Sequence, residues 1–331
     1  MARIQHPTGG LLSVALSVPL PGLGVTQHAA LWSSDFPPRP ETNSRRGDRP
    51  DGSDDGVILS SPAVISRSHP IAKRLRALRT DRELRDREGV LVAEGPHLAD
   101  EALRSGATLE LAIASPRLLA VTEGRALAAR LAAAGVPLHE ASDGTLEAVS
   151  DARSPQPVIV LAKRPRRTIE EALRPPEGVA LLVVACGIQD PGNLGAIVRV
   201  AAASGASGVV TTPGSADLFH PRAVRASAGA IFRVPALEQD IAAVRRAIEA
   251  AGLKLAGADP RGSSPYDAFD WRPATALVLG GEGAGLPEEL IAHLNARVVV
   301  PMRAGSESLS VGTAAAVLLF EAARQRASRA G

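Results

Sequence analysis

"VALLVVACGIQDPGNLGAIVRVAAASG", residues 179–205, joins an almost unbroken aliphatic run to a second one of Ala, Ile and Val through a turn rich in Pro and Gly. The first run reads as a strand buried on both faces, and the part after Gly195 reads as a helix. Five further strand candidates follow: GVVTT (208–212), FRVPAL (232–237), LKLAGAD (253–259), TALVLG (275–280) and RVVVPM (297–302). Helical stretches lie between several of them, including IAAVRRAIEAAG (241–252), and VGTAAAVLLFEAARQRA (311–327) closes the series. Continuous apolar strands alternating with helices predict an α/β fold, a mainly parallel sheet covered on both faces. Such sheets bind ligands at the carboxyl ends of their strands, so the turns after strands are where chemistry is sought.

Upstream, HPIAKRLRALRTDRELRDR (69–87) puts Ile71, Leu75 and Leu78 on one side and a row of Lys and Arg on the other. It reads as one basic amphipathic helix, either a solvated charged face or a phosphate-binding surface. GVLVAEG (89–95) and LELAIAS (109–115) read as strands, and PHLADEALRSG (96–106) and GRALAARLAAAG (124–135) as helices. This is a small α/β unit ending near Leu161. The basic cluster KRPRR (163–167) then reads as a linker. The expected organisation is an N-terminal extension (1–60), the small unit (61–163) and the larger α/β domain (164–331).

Composition narrows the class. The chain has 331 residues, 45% of them hydrophobic, and a net charge of +2, enough to bury two ordinary cores in a soluble globular protein. Its single cysteine, Cys186, excludes an internal disulfide framework and a CxxC zinc site, suits a reducing cytoplasm, and reads as a small buried strand residue. Aromatic residues make up only 2%, so a nucleic-acid partner would be held by phosphates and sugars more than by stacking. Residues 33–56 are polar and turn-rich like a disordered segment. The run LLSVALSVPLPGLGV (11–25) is interrupted by Pro19 and Pro21 and lacks a strongly basic start, which argues against a signal peptide. No run of about 20 apolar residues predicts a membrane span. His97 and His139 stand alone, without metal-ligand spacing, and no metal site is expected.

Three turns carry the functional signal. In the first, Arg199 lies within a helix apolar on every side, which predicts a buried guanidinium needing a partner, either an internal acid or a bound group. Gly192 and Gly195 do not fit GxGxxG, so the dinucleotide fingerprint fails there. In the second, LVLGGEGAGLPEEL (277–290), four glycines let the backbone approach a ligand, and Glu282 is the strong acceptor among them. Leu286 stands where GxGxxG needs its third glycine, and too few residues follow for a nucleotide-binding half. The third, VVVPMRAGSESLSVGTAAAVLLFEAARQR (298–326), brings Ser306, Glu307, Ser308 and Ser310 before a helix that starts with small residues. Alone it is also what a well-capped helix looks like.

Taken in order, NLGAIVR (193–199), LGGEGAGL (279–286) and VPMRAGSESLSVGTAAAVLLFE (300–321) closely resemble the three motifs of the SpoU/TrmH family of RNA ribose 2′-O-methyltransferases, in the SPOUT superfamily. The resemblance spans residues 179–326, with SAGAIFRVP (227–235) as a further family-like segment. Residues 66–163 look like the small substrate-binding domain of the ribosomal RNA branch.

The resemblance implies a catalytic α/β domain with a deep trefoil knot, S-adenosylmethionine bound in a bent shape, and a homodimer completing the sites. It implies cofactor contacts from Gly280, Val300 and Leu309, with Met302 and Ser308 beside them, and a catalytic cluster of Asn193, Arg199 and Glu282. RNA would be the substrate, most readily 23S ribosomal RNA, in the cytoplasm. Arg199 would contact the phosphate and the 2′-hydroxyl with Asn193 and Glu282 holding it; positioning suits it better than accepting a proton, because guanidinium pKa values exceed about 12. One departure stands out. Where the family usually reads Ser-Leu-Asn, this chain has Ser310 in place of the Asn. The competing reading is a non-catalytic RNA-binding protein that keeps the fold.

Overall fold

Eleven strands form two sheets in the computed structural model, which describes residues 64–175, 177–303 and 308–327. The readings made of residues 1–60, and of Ser306 and Glu307, lie outside the described residues. The small sheet contains β1 (Val90–Glu94), β2 (Leu109–Ala114), β3 (Leu138–Glu140) and β4 (Val158–Lys163), in the order β1-β4-β2-β3. β4 runs antiparallel to both neighbours, whereas β2 and β3 are parallel.

The large sheet contains β5 (Leu181–Cys186), β6 (Gly208–Thr211), β7 (Ala236–Glu238), β8 (Lys254–Ala258), β9 (Ser264–Pro265), β10 (Thr275–Gly280) and β11 (Ala296–Val299). Its order is β7-β6-β5-β10-β8-β11-β9, and every pairing is parallel. The alternation of a strand explains why β5 is apolar at every position and β10 from Ala276 to Leu279. Leu181, Val183 and Ala185 point into one core, while Leu182, Val184 and Cys186 point into the core on the opposite face. β10 repeats the pattern with Leu277 and Leu279 against Ala276 and Val278. The first of these cores continues without a break to Leu91, Ala93 and Val160 of the small sheet.

Several local expectations are corrected. The stretch 69–87 is two helices, Pro70–Thr80 and Arg82–Glu88, because Asp81 is extended and its carboxylate accepts from the Leu84 amide to cap the second. Leu75 and Leu78 are buried as expected, but most of the basic row is spent internally. Arg74 pairs with Glu88 and Glu110, Arg79 donates to the Val149 and Ser150 carbonyls, and Arg85 is 1% exposed. KRPRR is not a free linker, since Lys163 ends β4 and Arg164 is largely buried. In FRVPAL, Phe232 and Arg233 end a short helix, and the strand starts at Ala236 after Pro235, which has no amide to give a ladder. β3, β4, β9 and the helix Asp143–Val149 were not anticipated.

Candidate active site

The site begins with strand register. β5 and β10 are neighbours and end level, with Cys186 opposite Gly280. The turns that follow are therefore thrown out side by side. They touch closely: a methyl group added at Gly281 would lie 2.3 Å from the Gly187 carbonyl oxygen, so only glycine fits there. Gly280 is as tight, since its added methyl would lie 2.2 Å from the Gly285 oxygen.

The helix after β5 runs from Pro191 to Ala203, earlier than the sequence reading placed it. Asp190 is its N-cap, accepting from the Asn193 amide, and Pro191 takes the first helical position, where a missing N–H costs nothing. Burial works to raise the Asp190 carboxyl, but the Asn193 amide and the Arg222 guanidinium outweigh it and hold it below the usual carboxylate range. This cap sets Asn193 in the first turn, beside the glycine loop. There its Nδ2 donates to Glu282 Oε1 at 3.0 Å, across 89 residues of sequence.

The third stretch arrives at the same place. Val311–Ala327 is one helix, and it packs closely on Pro191–Ala203. A methyl group at Gly312 would meet Ala196 Cβ at 3.3 Å and Asn193 Oδ1 at 3.7 Å, which explains the small residues at the helix start. Ser310 Oγ accepts from the Thr313 amide at 3.2 Å, so the serine that departs from the family pattern caps this helix.

Arg199 is the main correction. It is exposed, and no hydrogen bond or ion pair ties it to a residue among those described. Six residues beyond Asn193, it lies about 9 Å along the helix axis and about 120° around it. Asn193 and Glu282 thus meet, but they do not hold Arg199. The helix was read as buried because its outer face is Ala and Val; Val200 is only half-buried, and Phe320 of the adjoining helix is 46% exposed.

Of the expected cofactor residues, Gly280 ends β10 and Val300 follows β11, with β8 between those strands. Met302 is 45% exposed, Leu309 half-buried and Ser308 exposed. The carboxyl end of β8, with nearly buried Asp259, falls between Gly280 and Val300 and was missed, although its position after a parallel strand was a usable signal. Cys186 faces the core, and burial pushes its thiol up to about 11, which leaves it without thiolate reactivity. Among the described residues no group of three or more His, Cys, Asp or Glu could hold a metal, and no helix is long and apolar enough to cross a membrane.

A parallel α/β sheet whose glycine turns and polar residues gather at the carboxyl edge defines a class of ligand-binding α/β proteins. The comparisons with known proteins name it. Residues 180–320 match the model of the SpoU rRNA Methylase family, and residues 69–160 match the MRM3-like substrate binding domain. The chain is 29% identical over 257 residues to the 23S rRNA (guanosine(2553)-2′-O)-methyltransferase RlmP of Bacillus subtilis, covering 78% of this chain and 97% of that protein. It is 33% identical to an uncharacterized tRNA/rRNA methyltransferase of Mycolicibacterium smegmatis, covering 83% of this chain and 90% of the relative. The AdoMet-bound rRNA methyltransferase from Sinorhizobium meliloti superposes with a TM-score of 0.69 at 30% identity, over 79% of this chain and 97% of that one. The chain belongs to the SpoU rRNA methylase family.

Proposed function

We propose that this chain transfers the methyl group of S-adenosylmethionine to a ribose 2′-hydroxyl of 23S ribosomal RNA. The observation that carries this reading is the meeting of three distant stretches at one sheet edge, with Asn193 bonded to Glu282 and Gly312 closed against Asn193. The cofactor, when bound, supplies an electrophilic sulfonium methyl. Gly280, Val300, Met302, Ser308 and Leu309 would hold it. They fit such a group, because the glycine turn offers backbone without side chains and exposed Met302 leaves apolar surface for a ligand to cover.

A ribose hydroxyl is a weak nucleophile, so the protein's task is to orient it and accept its proton. Glu282 engages the Asn193 Nδ2 and so fixes the amide, whose Oδ1, on the Gly312 side, is left as an acceptor for the hydroxyl. Glu282 takes the hydroxyl proton on its second carboxylate oxygen as the ribose oxygen gains the methyl group. Arg199, exposed and not engaged by an acid among the described residues, is assigned to an RNA phosphate, where a permanent charge positions the ribose. A merely RNA-binding protein would have no need of the Asn193–Glu282 bond.

The finer architecture belongs to the same proposal. Residues 61–163 serve as the RNA-binding part and 164–331 as the methyltransferase part. A homodimer is supported by half-buried Val200 and Val317 and exposed Phe320 on the two packed helices Pro191–Ala203 and Val311–Ala327, apolar surface that a second copy would cover. A knot is supported by the late strand β10 inserted between β5 and β8, followed by a last helix that returns to pack on Pro191–Ala203. The site of action is the cytoplasm.

The test is transfer of radiolabelled methyl from S-adenosylmethionine to unmethylated 23S rRNA by the purified chain, followed by digestion to nucleosides. Label in a 2′-O-methyl nucleoside supports the reading. Label on a base, or none, refutes it.

A further inference from the structure

The segment 217–233 has two occupied faces. On one face lies the active-site helix, so close that a methyl group at Gly195 would sit 2.2 Å from the Ala223 oxygen and 2.7 Å from Ala226 Cβ. On the other face lies the small four-stranded unit, held by side chains rather than by a flexible tether.

The strongest of these ties is buried. Arg85, 1% exposed, sends Nε and Nη2 to Asp217 Oδ2 at 3.0 and 2.7 Å, while its Nη1 donates to the Leu78 and Arg79 carbonyls at 2.6 and 3.1 Å. Asp217 completes the arrangement by accepting from the Phe219 amide at 2.8 Å. Arg164, from the connection between the two sheets, stacks over the Phe219 ring at 4.6 Å. Further along, Arg225 pairs with Asp151 at 2.8 Å, and the His97 ring meets the Ala228 carbonyl at 3.2 Å. The next residue, Gly229, leaves no room: at φ +86° its added methyl would lie 2.6 Å from Glu101 Cβ, and Glu101 pairs with Arg233.

A buried ion pair is weak evidence for stability, because desolvation offsets most of the attraction. Its forked, multiply bonded geometry instead fixes one orientation. We infer that Arg85 is a positioning residue for methyl transfer: through Asp217 and the segment 217–233 it sets RNA held by the small unit in register with Asn193 and Glu282. Which ribose is presented is then decided at this seam, away from the reacting atoms. The inference rests on the proposed function.

The test uses the full chain, S-adenosylmethionine and unmethylated 23S rRNA. Removing either charge alone would strand the other in the interior, so the informative variant is the double change Arg85→Met with Asp217→Asn, which keeps an acceptor for the Phe219 amide. The expected result is a protein folded at 25 °C, melting somewhat lower because the Leu78 and Arg79 carbonyls lose their donor, with unchanged cofactor Kd, KM for the rRNA within about threefold, kcat lower by about tenfold or more, and methyl groups on neighbouring riboses. Arg85→Lys, which keeps the charge but not the fork, should stay folded with kcat between those of the double variant and the wild type. Wild-type kcat and a single wild-type target in the double variant overturn the inference, as does a loss of kcat matched by an equal loss of folded protein or cofactor binding. Failure of the wild-type chain to methylate the rRNA overturns the functional reading and this inference together; transfer by both proteins alike overturns this inference alone.

Discussion

Gly280→Ala probes the glycine turn at its tightest point. The added methyl group would meet the Gly285 oxygen at 2.2 Å, the Gly285 carbonyl carbon at 2.3 Å and the Leu286 nitrogen at 2.7 Å, all backbone atoms that cannot swing aside. Restoring ordinary contact requires the turn to move by about 1.2 Å, taking 3.4 Å as the near limit. Overpacking of this kind costs about 1–3 kcal/mol, which lowers Tm by several degrees in a domain of this size. The movement would carry Glu282, two residues on, away from Asn193, and would open the turn assigned to the cofactor. Calorimetry should show S-adenosylmethionine affinity reduced by about tenfold or more, the equivalent of about 1.4 kcal/mol, in a protein that remains folded at 25 °C. Gly283→Ala is the matched control, because nothing lies within 4 Å of its added methyl group. A Gly280→Ala protein that binds the cofactor and melts like the wild type, or a Gly283→Ala protein impaired equally, would refute a role for this close contact.

Three other perturbations separate the roles. Arg199→Ala should abolish methyl transfer while calorimetry still finds cofactor binding, because the exposed arginine is assigned to the acceptor; joint loss of both would reject that division. Ser310→Asn should change turnover by no more than about tenfold, since either side chain caps the last helix and one altered hydrogen bond is worth about 0.5–1.5 kcal/mol. A larger gain in steady-state kcat would mean that Ser310 limits catalysis. Burial, with Arg85 and Arg222 nearby, holds the His220 imidazole below its ordinary 6.5. The unfolded chain therefore takes up this proton first, so stability is full above pH 6.5 and declines as pH falls toward the depressed value. Melting should fall between pH 7 and pH 5, and His220→Asn, which retains a capping acceptor for the Arg222 amide, should flatten that slope.

The large sheet is legible because its central strands are buried on both faces, which forces apolar residues at every position of Leu181–Cys186 and from Ala276 to Leu279. The last helix was legible too, Val311–Ala327 matching its pattern residue for residue. β9 was not, since a two-residue strand ending in Pro265 leaves no periodicity to read. β4 did carry a signal in the run Val158–Ala162, but it completes the small sheet between β1 and β2, far from both in the chain. The pairing of Asn193 with Glu282 depends on the register of Cys186 opposite Gly280, a tertiary fact that motif resemblance anticipated and spacing alone could not. Arg199 departs from its expected burial for a physical reason: an apolar helix implies burial within one chain, whereas part of this helix's apolar face is open. Arg85 was hidden in a basic row, where nothing local distinguishes a buried guanidinium from solvated neighbours.

Modification of a 23S rRNA ribose by this chain can be read out in cells. Mapping of 2′-O-methyl positions in 23S rRNA, by their resistance to alkaline cleavage, should be compared between cells with the gene, cells without it, and cells carrying the Arg199→Ala form. One ribose should be methylated only with the wild-type gene and unmodified in the other two. An identical set of 2′-O-methyl positions in all three would contradict it.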